Sequence, residues 1–292
     1  MSSSGQALAI AGLLVATVGL AGCTAGEEPD AAAPASDPER QRVLRFWEHF
    51  NAATKVRSGG DCGEAVRLYE KALELDPQHE DCLYYLGQCR RELGEPGSAR
   101  DAFERLVELN PASARGHLAL GALLASPDPA EPMDLETAAR HLRRAHEING
   151  EETGPVVRLG EVTLATGRSE EARTWFEAAL QTNARSVEAA LLAGYVAWEA
   201  GEAGDPAPLA RRVREAATVE APVKGVLNEG DRRDAKGGAA RPLTHPLGRL
   251  LFGAPVDVLR TRSAAGESLS DAAVLEAWRE VRRLRRGYER RP

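Results

Sequence analysis

Apolar positions fall into distinct regimes along the 292-residue chain. Ala7 to Ala21 (ALAIAGLLVATVGLA) is an unbroken apolar run without a charge. It is shorter than the roughly 20 residues a membrane-spanning helix needs, and small residues follow it, as in the apolar core of a secretion signal. Residues 24–40 (TAGEEPDAAAPASDPER) are Ala, Pro and acidic with no apolar period. Such a composition cannot bury enough surface to order itself and reads as an extended tether, with a reach of about 50 Å at roughly 3.1 Å per residue. From about residue 43 to 219 apolar residues recur at helical spacing, predicting a series of helices. Residues 225–268 contain seven Gly and three Pro, which interrupt the period and predict an irregular segment; its apolar patch, Leu247 to Phe252, is suited to folding back on the rest. The final stretch, SLSDAAVLEAWREVRRLRRGYERR, predicts a helix capped by Ser268 or Ser270, with Val274, Ala277, Trp278, Val281, Leu284 and Tyr288 on one stripe.

The helical region is a repeat. Gly87, Gly121, Gly160 and Gly194 are spaced by 34, 39 and 34 residues, and Ala65, Ala99, Ala138 and Ala172 have the same series. The extra five residues fall in the Pro-rich stretch SPDPAEPMDLE, a loop between Ala125 and Ala138. A fixed period of this length marks a stacked array, in which one unit cannot bury its own apolar face. This arrangement predicts that small residues such as Gly87 and Ala99 let paired helices approach, that Leu86, Phe103 and Leu109 bury between units, and that Pro77 and Pro111 end the second helices.

Two family resemblances attach to these residues. The unit CLYYLGQCRRELGEPGSARDAFERLVELNP, Cys82 to Pro111, resembles the tetratricopeptide repeat, with Leu86, Gly87, Gly94, Ala99, Phe103 and Pro111 in the family's order. EAVRLYEKALELDP, AARHLRRAHEING, VVRLGEVTLATGRSEEARTWFEAALQTNA and ALLAGYVAWEAG extend the likeness over about residues 43–201. Gly150 and Ala184 stand where the family has its terminal Pro, which predicts looser turns there, and the second helix after Gly201 is degenerate. The resemblance implies an all-α helix-turn-helix solenoid, a right-handed superhelix of four to five repeats with a concave groove. Separately, Leu20-Ala21-Gly22-Cys23 resembles the lipobox of bacterial lipoproteins, which implies cleavage before Cys23 and a diacylglycerol on its thiol. MSSSGQ, ahead of the apolar run, lacks the usual Lys or Arg. Thr24, rather than Asp, comes after the cysteine, which by the resemblance favours the outer membrane where two membranes exist. Two or three acyl chains, at about 0.8 kcal/mol per buried CH₂, would anchor the chain stably.

In the tetratricopeptide family the first helix of each unit lines the groove. On unit two Asp81, Tyr84, Gln88 and Arg91 share the face opposite Leu86; equivalent positions are Trp47, Phe50 and Thr54 in unit one, Leu118 and Ala122 in unit three, Val157, Glu161 and Leu164 in unit four, and Leu191, Tyr195 and Trp198 in unit five. This face is largely apolar. Of the family's carboxylate clamp only Arg91 has a counterpart, so an apolar peptide or helix is the expected ligand. The competing reading packs these aromatics against the chain's own C-terminal segment.

Composition adds exclusions. A net charge of −7, six His and four Cys argue against a polyanion binder or a metal-rich protein. Seven Arg against two Glu between Arg279 and Arg291 hide a local +5 within that total. This basic end suits anionic headgroups or an acidic partner, or is a solvated face near an acidic surface; nucleic acid is not expected. Cys82 and Cys89 lie about 10.5 Å apart along one helix, too far to bridge. Cys62 and Cys89, on neighbouring antiparallel helices, are the candidate disulfide, against three thiols used as small core residues. His141 and His146 do not share a helix face, and no HExxH, CxxC, phosphate loop or nucleophile elbow occurs, so neither metal, cofactor nor catalytic residues are assigned.

The expected organisation is a signal peptide over 1–22, lipidated Cys23 and tether over 23–42, a solenoid over 43–219, an irregular segment over 220–268 and a basic amphipathic helix over 269–292. The expected function is a membrane-anchored scaffold binding an envelope protein. The alternative is an envelope enzyme or regulatory subunit with its chemistry in the C-terminal third.

Overall fold

The computed structural model describes residues 37–127, 132–201, 204–219 and 251–289. The chain divides into two compact units, Met1–Gln41 and Arg42–Pro292. Among the described residues, only the start of the first helix belongs to the former; the rest of the architecture lies in the latter.

The described residues form helices joined by turns, with no strand among them. The helices are α1 (Pro38–Ser58), α2 (Cys62–Leu75), α3 (Glu80–Glu92), α4 (Pro96–Leu109), α5 (Ala114–Leu124), α6 (Leu135–Ile148), α7 (Thr153–Ala165), α8 (Ser169–Thr182), α9 (Val187–Glu199), α10 (Ala207–Val219), α11 (Gly253–Ala264) and α12 (Asp271–Glu289). From α2 to α10 each helix packs on its neighbours in sequence, as a stacked array requires. The five-residue insertion lengthens the α5–α6 connection and leaves the packing period intact; Asp134 N–H closes it on Leu124 O at 3.0 Å.

Within a unit, a glycine on the first helix receives a large side chain from the second. A Cβ at Gly87 would lie 2.5 Å from Phe103 Cε1, at Gly121 2.8 Å from Leu142 Cγ, and at Gly160 2.4 Å from Phe176 Cε1. Phe103, Leu142 and Phe176 are all buried. The repeating glycines therefore let two helix backbones close on a wedge of side chain. Unit one holds Ala53 and Tyr69 at the equivalent positions, both buried, and joins α1 to α2 through the Phe50–Tyr69 ring contact. Of the three large residues expected to bury between units, Leu86, Phe103 and Leu109, Leu109 stays exposed in the folded chain.

The inter-unit turns correct one expectation. The residues closing the second helices, Asp76, Asn110, Asn149 and Asn183, have nearly the same backbone, with φ between −131° and −136° and ψ of 90°. In each, the side-chain oxygen accepts a hydrogen bond from the N–H two residues on: Gln78, Ala112, Glu151 and Arg185, at 3.0 to 3.3 Å. Gly150 and Ala184 do not loosen their turns, because the preceding Asn, not the missing proline, sets the geometry.

The C-terminal end brings a second correction. The stretch read as irregular over 220–268 contains α11; residues 220–250 lie outside the described residues. Helix α12 forms where the apolar stripe placed it, and Ser270 Oγ accepts from Ala273 N–H at its start. The degenerate second helix of unit five is α10, but Ala210 stands where Phe103 and Phe176 stand in units two and four. Trp278 of α12 supplies the missing bulk. A Cβ at Gly194 would lie 2.8 Å from Trp278 Cζ2, and the indole N–H donates to Leu191 O at 2.9 Å. Packed on α8, α10, α11 and α12, α9 is buried from Val187 to Ala197, consistent with its nearly all-apolar sequence.

Candidate functional site

The residues assigned to one binding face separate into two groups. Trp47, Phe50, Tyr84 and Arg91 retain exposure, with Trp47 at 45%, whereas Gln88 and Leu118 are buried within the array. Val157, Glu161, Leu191 and Tyr195 are buried, and Trp198 is half-buried. Thus the face expected to be one groove is accessible on α1 and α3 and covered on α7 and α9.

On the accessible part, rings touch in a continuous row. Trp47 meets Phe46 and Phe50, His79 lies 4.6 Å from Phe46, and Phe50 contacts Tyr69 and Tyr85. Tyr85 meets Tyr84, which reaches Phe103. Two guanidinium groups cover rings in this row: Arg57 at 4.3 Å over Tyr85, and Arg115 at 5.0 Å over Tyr84. Arg115 also pairs with Asp81, and Arg91 donates to Gln88 Oε1 from Nε and a terminal nitrogen, at 3.2 and 2.8 Å. Beside Trp47, Val43 and Leu44 are exposed on α1. The arrangement offers flat apolar surface with cationic edges, chemistry suited to holding a polypeptide segment.

The covered part is polar beneath. Arg158 and Glu161 of α7 are fully buried, 3.8 Å apart, and Glu161 Oε1 accepts the main-chain N–H of Phe252 at 3.1 Å. Burial pushes the Glu161 carboxyl up to about 7, against the lowering influence of Arg158, and burial likewise lowers the Arg158 pKa. Glu188 of α9 pairs with Arg260 of α11 at 2.6 Å, and Glu199 binds Arg282 and Arg285 of α12 at 3.2 and 2.7 Å. Arg282 also lies 4.3 Å over Trp198, itself stacked on Trp278. Part of the basic end of the chain thus meets an acidic surface of the array.

Unit three contains a histidine pair that the spacing of residues along one helix does not reveal. His117 and His141 approach through their Nδ1 atoms at 2.9 Å, and His117 Nε2 lies 3.2 Å from Pro111 O. A carbonyl only accepts, so neutral His117 carries its proton on Nε2 and His141 donates from Nδ1. Burial lowers both pKa values, with the second histidine's charge adding to the lowering at His141. The two residues stand on facing helices of the unit, α5 and α6, and only the packing of that pair brings them together.

Cys62 and Cys89 are buried free thiols rather than a disulfide. Cys62 donates to Glu92 Oε2 at 3.1 Å, and burial raises the pKa of both thiols. Cys82 is also a free buried thiol, donating to Tyr69 O at 3.3 Å. Among the described residues no three His, Cys, Asp or Glu converge on a metal position, and no helix is long and apolar enough to cross a membrane. Cys23 lies outside the described residues.

Tetratricopeptide-repeat models match residues 58–123 and 157–220. Over 107 residues the chain is 33% identical to the cellulose synthase 2 operon protein C of Komagataeibacter xylinus, a match covering 37% of this chain and 8% of that protein's length. Among solved structures, MamA is similar with a TM-score of 0.54 and 22% identity, covering 63% of this chain and 98% of MamA. YrrB, described as a TPR protein with an unusual peptide-binding site, gives 0.50 and 20%, covering 62% of this chain and 93% of YrrB. Helix order, glycine wedges and these likenesses together make the chain an all-α solenoid of tetratricopeptide repeats, with two further helices of its own packed on the last units.

Proposed function

We propose that this protein is a lipid-anchored interaction scaffold of the bacterial envelope, holding an apolar segment of a partner protein on the α1 and α3 face. The observation that carries the reading is the row of touching rings from Trp47 to Tyr84, with Trp47 nearly half exposed, on the part of the array that the C-terminal helices leave uncovered. Large rigid rings supply contact area at low entropic cost, and Arg91 and Arg115 at the edges add hydrogen-bonding capacity towards a peptide main chain. Lipidation at Cys23 would hold the chain at the membrane, the outer one where two are present, with residues 24–40 as spacer.

The test is photocrosslinking from Thr54, on the same face of α1, in intact cells. A partner crosslinked in the natural chain and lost in a Trp47→Ala, Phe50→Ala chain of unchanged stability supports the reading; an unaltered crosslinking pattern overturns it. Fractionation tests the anchor separately, since a Cys23→Ala chain should leave the membrane fraction.

A further inference from the structure

Unit three differs from its neighbours at one pair of facing positions. By the 34- and 39-residue spacing, His117 of α5 stands where units two and four have Leu83 and Val156, and His141 of α6 stands where they have Ala102 and Trp175. Leu83, Ala102 and Val156 are buried, so the neighbouring units fill this place with apolar side chains. Imidazoles there carry a desolvation cost that the apolar pairs avoid. The Gly121 and Leu142 wedge holds α5 against α6 close by and so fixes where the two rings meet.

The pair is also oriented from outside. His117 Nε2 faces Pro111 O at 3.2 Å, next to Asn110, whose side chain accepts from Ala112 N–H and sets the turn. This contact leaves the Nδ1 lone pair of His117 directed at His141 Nδ1, 2.9 Å away. A backbone carbonyl on the outer ring nitrogen is the arrangement that orients a metal-bound imidazole. Burial favours the neutral rings, the form a metal takes, and both rings are only half-buried, so water reaches them. The nearby charges are engaged along α6: Arg140 donates to Thr137, Arg144 pairs with Glu147, and Asp134 caps Thr137 N–H.

We propose that His117 and His141 form a two-histidine site for a divalent transition-metal ion, bound through both Nδ1 atoms. Their spacing selects the metal. With metal–nitrogen bonds of roughly 2.0–2.1 Å, two nitrogens lie about 2.9 Å apart across a right angle and about 3.4 Å apart across a tetrahedral one. The observed 2.9 Å therefore suits the tetragonal preference of copper(II), which also stands highest in the affinity order of these ions. On binding, His141 loses its Nδ1 proton to solvent and takes one up at Nε2, so the ring stays neutral with no net proton released. Among the described residues no third His, Cys, Asp or Glu completes a metal position, so water fills the remaining ones. The ion bridges α5 and α6 and stabilises unit three by mass action.

The probe is copper(II) alone, titrated at neutral pH into the full chain without an affinity tag, with zinc in parallel. Thermal unfolding should move upward with copper, and half-saturation should need at least tenfold more metal in a His117→Gln or His141→Gln chain. His49→Gln, on α1, should behave as the natural chain does. Unchanged copper affinity in the double His117→Gln, His141→Gln chain overturns the proposal. So does the absence of any shift at millimolar copper, or zinc binding more tightly than copper. Should the variants not fold, pulsed electron paramagnetic resonance on the natural chain decides: two imidazoles on one copper ion support the site, and one or none refutes it. The site lies outside the α1 and α3 face, so copper binding should be unchanged in a Trp47→Ala chain, and failure here leaves the reading of that face standing.

Discussion

Units two and five are built on the same helix-turn-helix plan, yet one is complete within its own repeat and the other is not. In unit two Phe103 comes from the adjoining helix and fills the space over Gly87; in unit five Ala210 leaves that space open and Trp278 fills it from 68 residues further along the chain. The difference shows that a repeat can lose its wedge if another element supplies the volume. Its consequence is that the last units become tied to the C-terminal helices, and the face they would otherwise present is covered. The N-terminal units have no such attachment among the described residues, and their aromatic face remains accessible.

Trp278→Ala empties the wedge position of the last unit. Removing a fully buried indole and its hydrogen bond to Leu191 O should cost about 3–5 kcal/mol, read as early unfolding of α9 to α12 by hydrogen exchange, with α3 to α6 still protected. Adding Ala210→Leu restores bulk from the position the other units use and should recover part of the loss. No recovery would mean that Trp278 does more than replace the absent wedge.

The two regions also differ in how they respond to pH. Glu161 has a folded pKa raised to about 7 against an ordinary 4.5, so the folded state holds its proton longer and stability falls as pH rises between those values. Glu161→Gln removes this loss and should stabilise the C-terminal units at pH 8 by about 1–3 kcal/mol, measured by denaturant unfolding at pH 5 and 8. The histidine pair of unit three works in the opposite direction. Both pKa values are lowered by burial, so the unfolded chain takes up protons first and stability falls as pH drops below 6.5. His141→Gln should cost about 0.5–1.5 kcal/mol at pH 8 and flatten the acid limb. A natural chain whose acid limb is already flat would exclude a coupled pair.

How much of this is legible in the sequence depends on which contacts are local. The glycine period, the Phe103 and Phe176 wedges and the start of α12 depend on residues within one unit or one turn, so spacing exposes them. Helix α11 is hidden because Gly253 and Pro255 at its start and the polar run Arg260-Thr261-Arg262-Ser263 near its end mask a short apolar face. The turn-setting role of Asn149 and Asn183 is legible in principle, since they stand at the same 34-and-39 spacing as the glycines; the absent proline beside each is the more conspicuous feature and the less important one. Ala210 is the available signal for Trp278, since an alanine where its counterparts are Phe, Leu and Phe implies that volume arrives from elsewhere. Which side chain delivers it, and that Glu161 meets Phe252 91 residues away, is decided by tertiary packing alone.

The smallest stability effect should come from Trp47→Ala, and that smallness is what makes it informative. Trp47 is 45% exposed, and its neighbours Phe46 and Phe50 contact each other and His79 without it. Truncation should therefore cost about 1 kcal/mol or less, well below Trp278→Ala, although the residue removed is the same. Thermal unfolding of the two variants side by side measures that asymmetry directly. If Trp47→Ala proves as destabilising as Trp278→Ala, the N-terminal rings are a cap that closes the first unit, as Trp278 closes the last, and the two ends of the array are equivalent. If it leaves stability intact but removes the crosslink from Thr54, the ring is held for a partner, and the two tryptophans mark a face that is open at one end and closed at the other.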